Sequence, residues 1–182
     1  MPNRLTKGKA LFGAADLTTL AIGGTNVTAT AAEINRVADA SGRIVDATAA
    51  TLAVTEATHD GKVITLNRAA GIAVTLPAAT GSGAKLHLIV GTTVTSNTST
   101  VKVADATDVM TGTATMAQDA ADTAVMFETA ATSDTITFDG STTGGIKGDS
   151  VELIDIASNL WWVRVMGSAT GTEATPFSAT VS

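Results

Sequence analysis

The stretch Thr80-Gly81-Ser82-Gly83-Ala84-Lys85 is the part of this sequence that most invites a ligand. Its glycines, serine and lysine superficially resemble a phosphate loop. A phosphate loop needs more: an earlier glycine at fixed spacing, Ser or Thr directly after the lysine, and a helix beyond. None of these is present. His59 lies in a polar turn, Thr58-His59-Asp60-Gly61, and His87 alternates out of phase with Leu86 and Leu88. Both are expected on the surface, and in a chain without cysteine they make a poor metal site. Asp105 with Asp108, and Asp119 with Asp122, are spaced carboxylates that do not match a calcium loop and read as turn formers. No serine sits in a strand–turn–helix elbow beside a histidine and a carboxylate. Two adjacent tryptophans and no tyrosine are poor equipment for stacking on sugars. The expectation is a protein without catalytic residues, metal or cofactor.

The elements that carry these residues read as strands. In residues 61–91, Ile64 and Leu66 alternate with Val63 and Thr65, Ile72, Val74 and Leu76 with Ala73 and Thr75, and Leu86, Leu88 and Val90 resume the pattern. With 67–71 as a loop, an antiparallel hairpin sets Ile64 opposite Val74 and Leu66 opposite Ile72. That register puts every large residue of the pair except Val63 on one face. Gly71 can supply a positive φ in the loop, and Pro77 ends the second strand. Further strands are expected at 44–45, 51–55, 99–103, 109–116, 123–129 and 135–138, separated by turns rich in Asp, Gly, Ser and Thr. A last hairpin is expected from 151–156 and 160–166. On it Trp161 shares the core face with Val163 and Val165, while Trp162 and Arg164 face outward. Trp and Arg are enriched at interface centres, so these two are candidate subunit or partner contacts.

Before the strands, Thr30-Ala31-Ala32-Glu33 is a capping box that opens a short helix over about 30–40 and ends near Gly42. Its narrow apolar stripe, Ile34 and Val37, is expected to pack on the sheet or on a neighbouring subunit. Residues 1–27 have poor periodicity. Arg4, Lys7 and Lys9 make their start basic, and Leu5, Leu11 and Phe12 are too apolar for a pure linker. This reads as an arm that orders on an acidic partner. Residues 169–182 read as an extended tail that adds a strand to a neighbour.

The whole is expected to be all-β: a single antiparallel β-sandwich or β-barrel domain over 43–168, with an extended N-terminal arm (1–27), one short α-helix (28–42) and an extended C-terminal tail (169–182). Roughly a third of the chain is Ala or Thr, well above average usage. Such small side chains imply a thin sandwich with a modest core, which gains stability by association. The net charge of −6 argues against nucleic acid as partner. No apolar run reaches the roughly 20 residues of a membrane span, and residues 1–9 lack the apolar core of a signal peptide. Ala-Ala-Thr recurs at 49, 78 and 130, at unequal intervals, which argues against a solenoid of identical units.

Two segments resemble a known class. Residues 27–36, Val-Thr-Ala-Thr-Ala-Ala-Glu-Ile-Asn-Arg, are similar to the T-A-T-A-A-E-L-N segment of structural proteins of tailed bacteriophages, although the Leu-Asp-Gly turn that often follows it is altered here. Residues 66–83, from Leu66-Asn67-Arg68 to Leu76-Pro77 and Gly81-Ser82-Gly83, resemble β-strand modules of phage head and tail-fibre proteins. The resemblance covers about 15% of the chain. It implies a non-enzymatic virion protein. Within that class it implies a capsid decoration (cement) protein, often a homotrimer, whose arm grips the major capsid protein on the outer surface of the head. The alternative it implies is a tail-fibre or receptor-binding component.

Overall fold

A computed structural model of the chain describes residues 21–22, 24–26, 28–30, 33–34 and 42–181. The expectations at Arg4, Leu5, Lys7, Lys9, Leu11, Phe12 and Val37 lie outside the described residues. The chain forms two units, Met1–Ala40 and Ser41–Ser182. In the first, β1 (Ala21–Ile22) and β2 (Thr25–Asn26) make a two-residue antiparallel ribbon. The capping box forms as its residue types require. Glu33 N–H donates to Thr30 Oγ1 at 3.2 Å, Thr30 N–H donates to Glu33 Oε2 at 2.6 Å, and Ile34 N–H donates to the Thr30 carbonyl at 3.0 Å.

The second unit is two mixed sheets packed face to face. Its first six strands alternate between the sheets. β3 (Ile44–Ala47), β5 (Val63–Leu66) and β7 (Lys85–Val90) lie parallel in one; β4 (Thr51–Ala53), β6 (Ala73–Thr75) and β8 (Ser99–Lys102) lie parallel in the other. The chain therefore winds through three successive coils. Ile44 stands beside Val63 and Val63 beside His87, advances of 19 and then 24 residues. Thr51 stands beside Ala73 and Ala73 beside Thr100, advances of 22 and then 27. Coils of unequal length leave no period in the sequence, so the argument against a solenoid fails for this half of the sandwich. A single-turn helix, α1 (Glu56–His59), lies in the crossing from β4 to β5, where only a polar turn was expected.

The expected meander over 61–91 is therefore corrected. β5 and β6 are not a hairpin; they belong to different sheets. Every residue assigned to its common face is buried, including Ile64, Leu66, Ile72, Val74 and Leu88, but the two strands bury them from opposite sides of the core. Alternation specifies which face turns inward, not which strand lies alongside. Gly71 does take a positive φ of 76°. A Cβ there would stand 2.3 Å from the Thr98 carbonyl oxygen.

The remaining strands are β9 (Val109–Gln118), β10 (Ala124–Glu128), β11 (Thr135–Phe138), β12 (Ser150–Ala157), β13 (Leu160–Ala169) and β14 (Phe177–Ser178). They complete a seven-stranded sheet, β10-β9-β13-β12-β7-β5-β3, and a five-stranded sheet, β14-β11-β8-β6-β4. β12 and β13 form the expected antiparallel hairpin, turning at Asn159 with φ 63°. β9 joins β13 in parallel over ten residue pairs, so pairing is mixed rather than antiparallel throughout. The tail is also corrected: β14 pairs with β11 of its own chain. Between the sheets, Trp161, Phe138, Ile136, Leu153 and Val163 are fully buried.

Candidate interaction surface

The glycine-serine turn does cradle an anion, and the anion is the protein's own. Asp155, on β12, is fully buried. Its carboxylate accepts from the backbone N–H groups of Thr80 (2.9 Å), Gly81 (2.8 Å) and Ser82 (3.0 Å) and from the Thr80 hydroxyl (3.2 Å). The Ser82 hydroxyl lies 2.9 Å from Asp155 and 2.8 Å from Glu56. Burial pushes the Asp155 carboxyl up, but the converging donors outweigh it and hold the group below its ordinary value. With the cradle filled, no ligand anion can enter.

Other carboxylates staple loops in the same way. Asp149 accepts from the N–H groups of Gly145, Ile146 and Ser168 at 2.8–3.0 Å, and burial pushes its carboxyl up despite them. Burial likewise raises Asp108, which accepts from Ala79 N–H at 3.0 Å. Asp134 holds the tail through Thr180 and Val181. Asp139 ties the 141–145 turn through Ser141, Thr142 and Thr143; burial raises its carboxyl, and these bonds more than reverse that. Asp105 is the expected turn former, accepting from Thr107 N–H at 2.8 Å, whereas Asp108 is buried rather than in an exposed turn. His59 is buried too, contrary to expectation. Its Nδ1 accepts from Thr55 N–H at 3.1 Å and lies 2.6 Å from the Thr58 hydroxyl. Among the described residues, no three His, Asp or Glu side chains are grouped to hold a metal ion. These side chains do structural work.

The two outer faces of the sandwich differ. On the five-stranded sheet the outward positions in register are small: Thr51, Ala73, Thr100 and Thr137 in one row, Ala53 and Thr75 with Lys102 in the next. On the seven-stranded sheet they are large. One row runs Thr111, Trp162, Ile154, Lys85; the next Glu128, Thr113, Arg164, Glu152, His87, Val63, Ile44; the third Met126, Thr115, Met166, Ser150, Ile89, Thr65, Asp46. Ile44 and Met126 are about two-thirds exposed, at 65% and 67%, and Met166 and Ile156 half exposed. Trp162 and Arg164 thus sit where expected, on the outer side of β13, with Trp161 in the core. Arg164 donates to Glu152 at 2.7 Å across the hairpin, an exposed pair contributing no more than about 1 kcal/mol. Ile34, the described residue of the expected helical stripe, is exposed in the other unit.

Trp162 and Arg164 are therefore the candidate contact residues that the fold brings onto one surface. Val63, Ile89, Met126, Ile154 and Met166 join them and were missed. Their signal was the doubling of apolar residues within strands, as in Val63-Ile64, Leu88-Ile89-Val90, Leu153-Ile154 and Val165-Met166, because adjacent strand residues face opposite ways. No protein-family model, curated protein or solved structure matches this chain.

Proposed function

We propose that this chain is a non-enzymatic structural protein of a tailed-phage virion, a capsid decoration (cement) protein. In this reading it sits on the outer surface of the head as a homotrimer, bridges neighbouring major capsid proteins and stiffens the shell against packaged DNA. The resemblance of residues 27–36 and 66–83 supplies the class. The observation that carries the role is the outer face of the seven-stranded sheet, where half-buried Trp162 and Ile154 stand with exposed Met166 and Arg164. Isolated exposed apolar residues are ordinary, but a contiguous set on one sheet face marks an interaction site. Many copies, each with a modest contact, gain large avidity on a lattice. Neither nucleic acid nor membrane nor cofactor takes part.

Trp162→Ala tests the contact. The side chain is only half buried, so the free protein is expected to lose no more than about 1 kcal/mol in urea titrations. Binding to purified heads that lack the protein is expected to weaken at least about tenfold, as for a truncated aromatic hot spot. Unchanged head binding would remove this face from the interface. The tail-fibre reading has one observation in its favour: the three parallel coils from β3 to β8 follow a winding that can extend by stacking further turns.

A further inference from the structure

Beside Ile154 on the same outer face is a shallow pocket of about 420 Å³, lined by Lys62, Val63, Lys85, His87, Glu152 and Ile154 among others. Glu152 is already paired with Arg164, and among the described residues Lys62 and Lys85 have no carboxylate partner. In a chain of net charge −6, two unpaired lysines and a histidine have gathered around an apolar floor. Across the same face further apolar side chains stand among polar ones, out to Ile44 on β3 and to Met126 on β10, the two edges of the sheet. Six strand spacings give a width of about 29 Å, and the rows from Ser150 to Ile156 a height of about 20 Å. A plane of about 600 Å² is near the 800 Å² per partner of a standard protein interface and far larger than one small ligand covers.

We propose that this face docks an acidic protein segment, with an apolar side chain laid over Ile154 and Trp162 and a carboxylate seated between Lys62 and Lys85. Charge selects this occupant. Docking takes the lysines partly out of water, which is costly unless an opposite charge arrives with the partner. The inference shares its surface with the proposed function but does not need the virion. Failure of the peptide assay below with head binding intact removes the acidic-segment chemistry alone; the reverse removes the capsid and leaves this docking chemistry standing.

The test uses the purified full chain, a short peptide alternating Glu and Leu, and its Lys and Leu counterpart. Tryptophan fluorescence reads the titration, since Trp162 stands at the pocket edge and Trp161 is sealed in the core. The acidic peptide is expected to shift the emission saturably and the basic peptide to leave it unchanged. Lys85→Glu is expected to weaken the acidic peptide at least about tenfold. Lys102→Glu, the same charge change on the opposite outer face, is expected to leave binding within about twofold. No response to the acidic peptide, an equal response to the basic one, or equal losses in the two variants would overturn the proposal. So would sedimentation showing a dimer of this chain that Trp162→Ala dissolves.

Discussion

Gly112→Ala is expected to prevent folding, or to cost roughly 4 kcal/mol or more, beyond the usual range for a point substitution. Gly112 lies in the middle of β9, where the strand runs parallel to β13 and residue 112 stands beside Val163. Its φ is 153°, outside the region that L residues adopt readily. A Cβ there would fall 1.8 Å from the Val163 carbonyl oxygen and 3.1 Å from its Cγ2. The first obstacle is backbone, which cannot rotate aside, and moving it opens the ladder next to buried Trp161. Gly148→Ala separates the two costs. Gly148 also has a positive φ, 103°, but nothing lies within 4 Å of where its Cβ would stand, so it should show the conformational penalty alone, about 1–2 kcal/mol. Urea unfolding of both variants checks the difference; equal losses would show that close approach at β9–β13 is unimportant.

Asp155→Ala is expected to cost about 3 kcal/mol, because it takes the shared acceptor from the three N–H donors of the 80–82 turn. Asp155→Asn keeps the shape and one acceptor oxygen but loses the charge, and about 2 kcal/mol is expected. The pH dependence has a definite sign. The folded carboxyl lies below its ordinary value, so its stabilisation is complete above the unfolded value of about 3.9 and is lost as pH falls through the folded one. The deficit of Asp155→Asn relative to wild type should therefore be full near neutrality and shrink in strong acid. Asp108 and Asp149 run the other way. Burial raises both, so their contribution is complete below the unfolded value and is lost as pH rises through the folded one. A deficit for Asp155→Asn that stayed constant to low pH would contradict an ionised Asp155 in the cradle.

Much of the sandwich is legible in the sequence, for reasons that also explain what is not. The β12–β13 hairpin can be read because a short turn joins neighbours, and Trp161 and Trp162 then fall on opposite faces without further information. The inward set from Ile64 to Val90 is readable from alternation. Its pairing is not, because the link from Leu66 to Ala73 is long enough either to fold back as a hairpin or to cross to the other sheet, and it crosses. The capping box at Thr30 and Glu33 is local and forms as written. Buried Asp155, Asp149 and Asp108 are hidden in the sequence, since an aspartate that staples a loop from inside looks like one that turns a loop outside. The Thr80–Gly83 turn was legible only as a loop that departs from a phosphate loop; that it cradles a carboxylate 73 to 75 residues further along the chain was not. The proposed interaction face lies between these cases. Trp162 and Arg164 stand out by type, whereas Met126, Met166, Ile154 and Lys85 join them only through cross-strand register.

The most direct measurement is the number of copies in purified phage particles, quantified by mass spectrometry against the major capsid protein. A decoration protein on the head lattice predicts on the order of hundreds of copies, enough for weak contacts to act together, and predicts that particles without the protein lose heat resistance. A handful of copies would place the chain in the tail, and none would contradict the virion role itself.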